Sequence, residues 1–443
     1  MDYRFSSYSI VVPLESEPDN VFMMHGYTGA IDVLSKEIAD YLQNHKHFSK
    51  EEIPCSETTV ETLEKRGYIT KWSKEEEVEY AKRLANALYR KENILNNNFT
   101  VVVTYDCNFR CPYCFEKGIK KDTTTFTKEM TDKLYKTILE IAPEKRLRNN
   151  TIVLYGGEPL LKENKEAVTY LVEKGKELGF KFSAITNGYD LDSYEELLGP
   201  DSICSVQISV DGLPKRHNQQ RRHKLGIPTF EKIIQNIGIA LEHSVKVSVR
   251  INTNKENIND LEKLQQLFFN LHYIENSLFR INSALIQDFD SEKVSPNNFK
   301  TKEYLEKTGN FRYINVCNDF GLKRKITTAI KLNIPFSLHA ASCTSQTGSL
   351  VFDPYGVIYP CLEVVGQDIH CIGSYQSETI DWHHENLFKW KKSPLEREDC
   401  IKCKFAFVCS GGCPVYRFND ENRCTHIESF IHKIINGAYV SNR

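Results

Sequence analysis

From about residue 95 to 310, short runs of β-branched and apolar residues alternate with longer stretches whose apolar positions recur every three or four residues. The runs are Phe99–Tyr105, Thr151–Tyr155, Lys181–Thr186, Cys204–Val210, Lys246–Ile251 and Leu278–Ile286, and KEMTDKLYKTILEIA is one of the stretches between them. Nearly unbroken apolar runs predict strands buried on both faces, and the longer spacing predicts helices packed outside them. Six β/α repeats predict a parallel sheet of α/β class, curled into a partial (β/α)6 barrel of TIM type. Functional groups in such sheets sit just past the C-terminal ends of the strands.

The flanking segments read differently. Residues 1–90 predict an α+β module: strands within Tyr8–Leu14 and Val21–Ser35, the latter broken by a Tyr-Thr-Gly turn, then helices from Ser35 and within TVETLEKRGYIT, ending at Gly67. Strands, two helices and a strand-like tail give a winged-helix pattern. Lys74–Asn93 is a charged amphipathic helix, expected to act as a linker. Residues 311–342 bridge to a cysteine-rich segment, 343–443, where periodicity fades and a small metal-stapled domain is expected.

Composition narrows the setting. Of 443 residues, 40% are hydrophobic and 26% charged, with a formal net charge of −2. No basic arm or long single-sign block is present, so a nucleic-acid partner is not expected. The N-terminus lacks an apolar stretch of signal-peptide length and no window is apolar enough to span a bilayer, so the expectation is a cytoplasmic protein without a membrane partner. The 14 cysteines then point to metal binding, because a reducing compartment disfavours disulfides.

Three of those cysteines, Cys107, Cys111 and Cys114, lie just past the first barrel strand. Three thiolates on one loop suit a four-iron cluster with one iron left open, or zinc with a water. After the second strand comes GGEP, Gly156 to Pro159, where a glycine pair permits close backbone approach and Glu158 can accept hydrogen bonds from an ammonium group. The third strand ends in ITNG with Asn187, the fourth runs into QISVDGLPKRHNQQRR, and the fifth into VRINTNKENI.

CX3CX2C with Tyr113 before the third cysteine, GGEP, and the two later segments on consecutive strand ends together resemble the radical S-adenosylmethionine (SAM) superfamily. The resemblance implies a [4Fe–4S] cluster on Cys107, Cys111 and Cys114, completed by SAM, which is cleaved to a 5′-deoxyadenosyl radical that takes a substrate hydrogen. It implies cofactor contacts from Tyr113, Gly156, Gly157, Glu158, Pro159, Asn187, Ser209, Asp211, Arg221, Arg250 and Asn252. His217-Asn218 stands where the family usually has a His-Asp pair, so His217 is read as structural. No catalytic acid, base or nucleophile is named.

The C-terminal cysteines resemble the SPASM domain, which holds two auxiliary clusters. The resemblance implies an outer cluster on Cys400, Cys403, Cys409 and Cys424 and an inner one on Cys343, Cys361 and Cys413, three [4Fe–4S] clusters in all. The inner set lacks the further cysteine common soon after the first, leaving an open iron or a fourth ligand from Cys317, with Cys371 as a weaker candidate. Cys55 and Cys204 are expected to be structural.

SPASM enzymes typically modify peptides or proteins, and the N-terminal module resembles the PqqD-like precursor-recognition element, which pairs an edge strand with a leader peptide. The function expected is a peptide maturase installing thioether links, Cys sulfur to carbon, in a ribosomally made precursor. Its partners would be that precursor and a reductant such as flavodoxin or ferredoxin. The alternatives are a carbon–carbon crosslinking maturase and an anaerobic sulfatase-maturing, formylglycine-forming enzyme. Against the latter, about 100 residues precede the cluster motif, and no catalytic aspartate can be placed.

Overall fold

The computed structural model describes residues 2–95, 97–119, 124–286, 295–308, 311, 313–316, 321–419 and 424–442. The chain divides into two units: Met1–Asn93 with Asn318–Cys343 and Lys392–Arg443, and Ile94–Cys317 with Thr344–Lys391.

In the first unit β1 (Arg4–Phe5) precedes a three-stranded antiparallel sheet, β2 (Ser9–Pro13), β3 (Asn20–His25) and β4 (Ile31–Ser35), in the order β2-β3-β4. Ser35 caps α1 (Lys36–Asn44), its hydroxyl accepting the Ile38 N–H, and Ser56 caps α2 (Glu57–Lys65) in the same way through Thr59. β5 (Ile69–Thr70) returns antiparallel to β1. The strands, the cap at Ser35 and the turn before Ala30 follow the sequence pattern.

The long helix α3 (Lys74–Leu95) is more than the linker expected of it. Glu77, in its first turn, is fully buried and accepts from Arg4 (2.6 Å), Ser6 (2.5 Å), the Ser7 N–H (3.0 Å) and Tyr27 (3.1 Å). A buried carboxylate is tolerated there because its lone pairs are filled and a guanidinium faces it. Farther along, Ala81 and Ala85 join Tyr8, Tyr27, Ala340, Leu395, Ile401 and Phe407 in one core. The C-terminal helix Glu428–Val440 is tied to the β2–β3 hairpin, Asn436 bonding Glu15 and Pro13 and the Tyr439 hydroxyl donating to Glu17. Segments distant in sequence thus share this core.

The second unit is built on one mixed sheet. Its parallel strands are β6 (Asn97–Thr104), β7 (Arg148–Gly156), β8 (Lys181–Thr186), β9 (Ile203–Ser209), β10 (Lys246–Thr253), β11 (Phe279–Leu285) and the short β12 (Ile314–Val316), side by side in chain order. Six of them match the runs read from sequence to within three residues at each end. On the other side of β6 the sheet continues through β13 (Ser349–Phe352, parallel to β6), then antiparallel through β14 (Val357–Tyr359), β15 (Gly373–Ser374) and β16 (Asp381–Trp382). These last strands are two to four residues long, too short to leave a periodic signal.

Helices α4 (Lys128–Ile141), α5 (Lys165–Glu177), α6 (Pro214–Gln220), α7 (Phe230–Glu242) and α8 (Leu261–Asn270) form the crossovers. Phe99, Val101, Val102 and Val103 are all fully buried, as befits a central parallel strand covered on both faces. The result is an α/β partial barrel with the chain's motif loops at the C-terminal ends of its strands. Among the described residues no helix is long and apolar enough to cross a membrane.

Candidate functional site

β6 ends at Thr104, and the next ten residues carry Cys107, Cys111 and Cys114 across the end of the sheet. The chain holds this loop itself. The Asp106 carboxylate accepts the Cys107 N–H at 2.8 Å, the Phe109 N–H points at the Cys107 sulfur (3.3 Å), and the Cys114 N–H donates to the Cys111 carbonyl (3.3 Å). Residues 108–110 also run antiparallel to 222–224, with Arg110 N–H bonded to the Arg222 carbonyl and Lys224 N–H to that of Asn108, both at 2.7 Å.

Burial pushes the Cys107 thiol up to about 12, Glu158 adding to the effect, and burial also raises Cys111 and Cys114. Arg221 opposes the rise at all three, but the surroundings still favour the thiols. Such a donor set becomes thiolate when a metal centre displaces its protons. Three soft ligands on one pre-shaped loop fit an iron–sulfur cluster.

The glycine pair works at closer range than expected. A Cβ on Gly157 would stand 2.3 Å from the Asp106 carbonyl, and one on Gly156 2.1 Å from that of Thr104. The backbone approach these glycines permit is therefore to the end of β6, sealed by Gly157 N–H to Thr104 (2.9 Å) and Glu158 N–H to Asp106 (2.8 Å). Glu158 was expected to meet an ammonium group. Within the chain its carboxylate accepts the Leu160 N–H (3.0 Å), the Thr186 hydroxyl (2.5 Å) and the Asn187 N–H (2.6 Å), tying GGEP to ITNG. Burial pushes Glu158 up to about 7 against those three bonds. Pro159 is buried behind it.

Past β9, Asp211 is the hub of a buried network. One oxygen takes the Asn252 N–H (2.9 Å); the other receives the Tyr113 hydroxyl and stands 3.5 Å from the Arg221 guanidinium, which also donates to the Tyr113 oxygen at 2.7 Å. Arg250, opposite Ser209 in the β9–β10 register, donates to the Asn252 side chain at 2.9 Å. Tyr113, Ser209, Asp211, Arg221, Arg250 and Asn252 thus gather beside the cysteine loop. Arg221 is 8% exposed, and its Nε is buried with no partner among the described residues. His217 is fully buried and its Nδ1 accepts the Asp211 N–H at 3.3 Å, a positioning contact that fits the structural reading.

Several residues here carried no motif. Asn108 accepts from Asn187 (2.7 Å) and donates to Asp190 (3.0 Å), and the Asn257 side chain donates to the Asp211 and Asn252 carbonyls. Burial pushes Glu116 up to about 7, Glu363 reinforcing it and a bond from Tyr155 opposing; Glu363 is raised by its own burial. A polar residue inside a cluster loop, such as Asn108, was the one signal the sequence offered.

In the first unit, Cys400, Cys403, Cys409 and Cys424 line one cavity of about 420 Å³, together with Phe405, Thr425 and His426. Four cysteines lining one hollow, Cys400 and Cys409 from short helices and Cys403 and Cys424 from the irregular chain, are soft donors of the kind an iron–sulfur cluster takes. Of the other three motif cysteines, Cys343 and Cys413 belong to the first unit and Cys361 to the second. Cys371 is buried, with its thiol directed at the Gly373 carbonyl (3.3 Å); Cys317 lies outside the described residues. Cys204 likewise points at a carbonyl, that of Phe182 (3.2 Å), and Cys55 packs against the N-terminal core.

A partial α/β barrel with a three-thiol loop at the mouth defines a metallocluster enzyme class, and comparison with known proteins makes it specific. The radical SAM superfamily model matches residues 101–268. A GTP 3',8-cyclase of Clostridium perfringens is 30% identical over 242 residues, 51% of this chain and 70% of that one. A cysteine-type anaerobic sulfatase-maturating enzyme of Clostridium novyi is 23% identical over 363 residues, 74% of this chain and 92% of that one. Among solved structures, anSMEcpe with bound AdoMet and Cp18Cys peptide superposes with a TM-score of 0.58 at 20% identity, covering 78% of this chain and 97% of that one. Streptococcus suis SuiB bound to precursor peptide SuiA gives 0.50 at 15% identity, covering 98% and 99%.

The chain belongs to the radical SAM superfamily and is an enzyme of that superfamily. The family implies SAM and a [4Fe–4S] cluster, which together supply a carbon-centred radical.

Proposed function

We propose that this enzyme is a peptide maturase that forms thioether links between cysteine sulfurs and carbons of a ribosomally made precursor. Cys107, Cys111 and Cys114 would hold the SAM-binding cluster. Asp211, with Tyr113, Arg221, Ser209, Asn252 and Arg250, would shape the pocket for SAM, and Arg221 Nε is a buried donor there with no partner among the described residues. Glu158, Gly156, Gly157, Pro159 and Asn187 would brace the loop that presents the cysteines. The barrel's part is to orient substrate and exclude water.

The observation that carries the reading is the cavity lined by Cys400, Cys403, Cys409 and Cys424 in the unit that also holds an unpaired strand edge. The cavity suits an outer auxiliary cluster. His25 N–H donates to Ala30 and Lys36 N–H to Asp19. Alternation between those points turns the backbone groups of Val33 outward, while Arg66 takes the Ile31 carbonyl. That short edge, beside α1, suits a leader peptide added as a strand, in a PqqD-like winged-helix module. SuiB, similar along nearly its whole length, was solved with a precursor peptide.

A second reading is a sulfatase-maturing enzyme converting a Cys or Ser to formylglycine, favoured by the coverage of the sulfatase-maturating relative. A carbon–carbon crosslink is the third. Anaerobic co-expression with a short precursor from the neighbouring genes, followed by mass spectrometry, separates them. Loss of two hydrogens per link with cysteines closed to alkylation is expected. The same loss with alkylatable cysteines would replace the thioether by another crosslink. An unchanged peptide beside a sulfatase fragment that gains an aldehyde would establish the second reading.

A further inference from the structure

The solvent side of the cysteine loop carries charge that none of the chemistry above uses. Arg110, between Cys107 and Cys111, is exposed, as are Arg222 and Lys224 on the segment paired with it. None of these three makes an ion pair among the described residues, whereas Lys165, Lys181 and Lys232, elsewhere in the same unit, are matched to Glu196, Asp201 and Asp192. Arg110 spends donors on the Cys107 and Phe109 carbonyls (2.5 and 2.7 Å) and Arg222 on that of Gln219 (2.9 Å). Those bonds fix the side chains without neutralising them.

Beside the cations stands an ordered apolar tip. Gly226 N–H donates to the His223 carbonyl (2.9 Å) and Leu225 N–H to His223 Nδ1 (3.1 Å), with Gly226 at a positive φ of 72°. This turn leaves Leu225 73% and Ile227 42% exposed. Holding two aliphatic side chains in water on a hydrogen-bonded turn has no folding benefit, so the patch suits a partner. The acids near His223 are Asp190 and Glu163, and Asp190 is already engaged by Asn108.

We propose that Arg110, Arg222, Lys224, Leu225 and Ile227 form the docking surface for a small acidic flavoprotein that delivers electrons singly to the cluster on the cysteine loop. The proposal rests on the reading of Cys107, Cys111 and Cys114 as cluster ligands. An apolar tip ringed by unpaired cations complements an exposed flavin edge ringed by carboxylates. The docking segment is hydrogen-bonded to the residues between the ligands, so a donor seated there lies one loop from the cluster. One electron leaves the anionic reduced flavin and one is gained by the cluster, with no bond made or broken.

The test uses the full-length, cluster-loaded protein with purified flavodoxin as probe. Charge reversal by Arg222→Glu with Lys224→Glu should weaken flavodoxin binding tenfold or more at low salt, with the difference closing at high salt. Reduction of the cluster by flavodoxin should slow in parallel, while reduction by dithionite and iron content stay as in the wild type. The milder Lys224→Gln should fall between. Unchanged affinity in both variants, with dithionite reduction intact, would overturn the docking surface alone. A wild-type protein whose bound iron neither accepts an electron from dithionite nor cleaves SAM would overturn the cluster reading and the proposal with it. Tighter binding of ferredoxin than flavodoxin to this face would overturn the flavoprotein as occupant.

Discussion

The side-chain amide of Asn187 donates to the side-chain carbonyl of Asn108 at 2.7 Å, and both residues are only 4% exposed. One belongs to the loop after β8 and the other to the cysteine loop, so this bond helps set where Cys107 stands. Replacing Asn108 by Ala leaves the Asn187 amide without its partner and takes one of two donors from an Asp190 oxygen, which keeps the Lys162 N–H, at about 1–3 kcal/mol. The expected outcome is a lower iron content per chain and a SAM affinity reduced roughly tenfold, an energy within that range. Iron assay and equilibrium dialysis would check both.

Asp211 and Arg221 form an ion pair in which the carboxylate side chain is 1% exposed. Asp211→Asn keeps the shape but leaves a buried guanidinium facing a neutral amide. A loss of about 3–5 kcal/mol is expected for breaking one side of such a pair. The double variant Asp211→Asn/Arg221→Gln should lose less than the sum of the two singles, because the second change removes the stranded charge. Denaturant unfolding of all three variants measures this.

The two cysteine sets should be separable. Cys111→Ala should abolish SAM cleavage. Cys424→Ser, in the four-cysteine cavity, should lower iron by about four atoms per chain and leave the SAM-binding cluster's low-temperature paramagnetic signal in place. Loss of both signals together would mean that Cys424 stabilises the chain generally.

His25 is fully buried, and burial lowers its pKa to about 4, with Glu77 pulling the other way. The unfolded chain therefore binds a proton between pH 6.5 and 4 that the folded chain does not. Stability tied to this residue is complete above pH 6.5 and falls as the pH drops towards 4, by up to about 3 kcal/mol. A His25→Gln variant should show a flatter stability profile across that window, although its own stability at neutral pH will be lower.

Deleting residues 1–90 would strip Tyr8, Tyr27, Ala81 and Ala85 from the core shared with Ile401 and Phe407, so a point change is the sharper probe of the recognition module. Val33→Pro removes an outward N–H from the edge strand and spares the bonds to β3. Precursor affinity should fall several-fold while uncoupled SAM cleavage is unchanged. Equal affinity would return the edge to a structural role.

The strands of the barrel were legible because a central parallel strand must be apolar almost throughout, as Phe99–Val103 is. The family was legible because thiols, glycines and Asp211 sit at fixed offsets from those strands. Glu77 was not: a lone acid in a charged helix looks solvated until Arg4, Ser6 and Tyr27 are brought around it. Nor were the bonds that the Glu158 oxygens accept from Leu160, Thr186 and Asn187.

What the sequence determined by itself is local: which segments become strands and helices, and which loop carries three thiols. Spacing and periodicity are properties of neighbours along the chain. The tertiary structure alone decided that Glu77 meets Arg4, Ser6 and Tyr27, that Asn108 meets Asn187, and that Arg110, Arg222 and Lys224 share one face without ion pairs among the described residues. Those relations depend on which distant segments share a core or a sheet edge, and no residue's own pattern encodes its partner there.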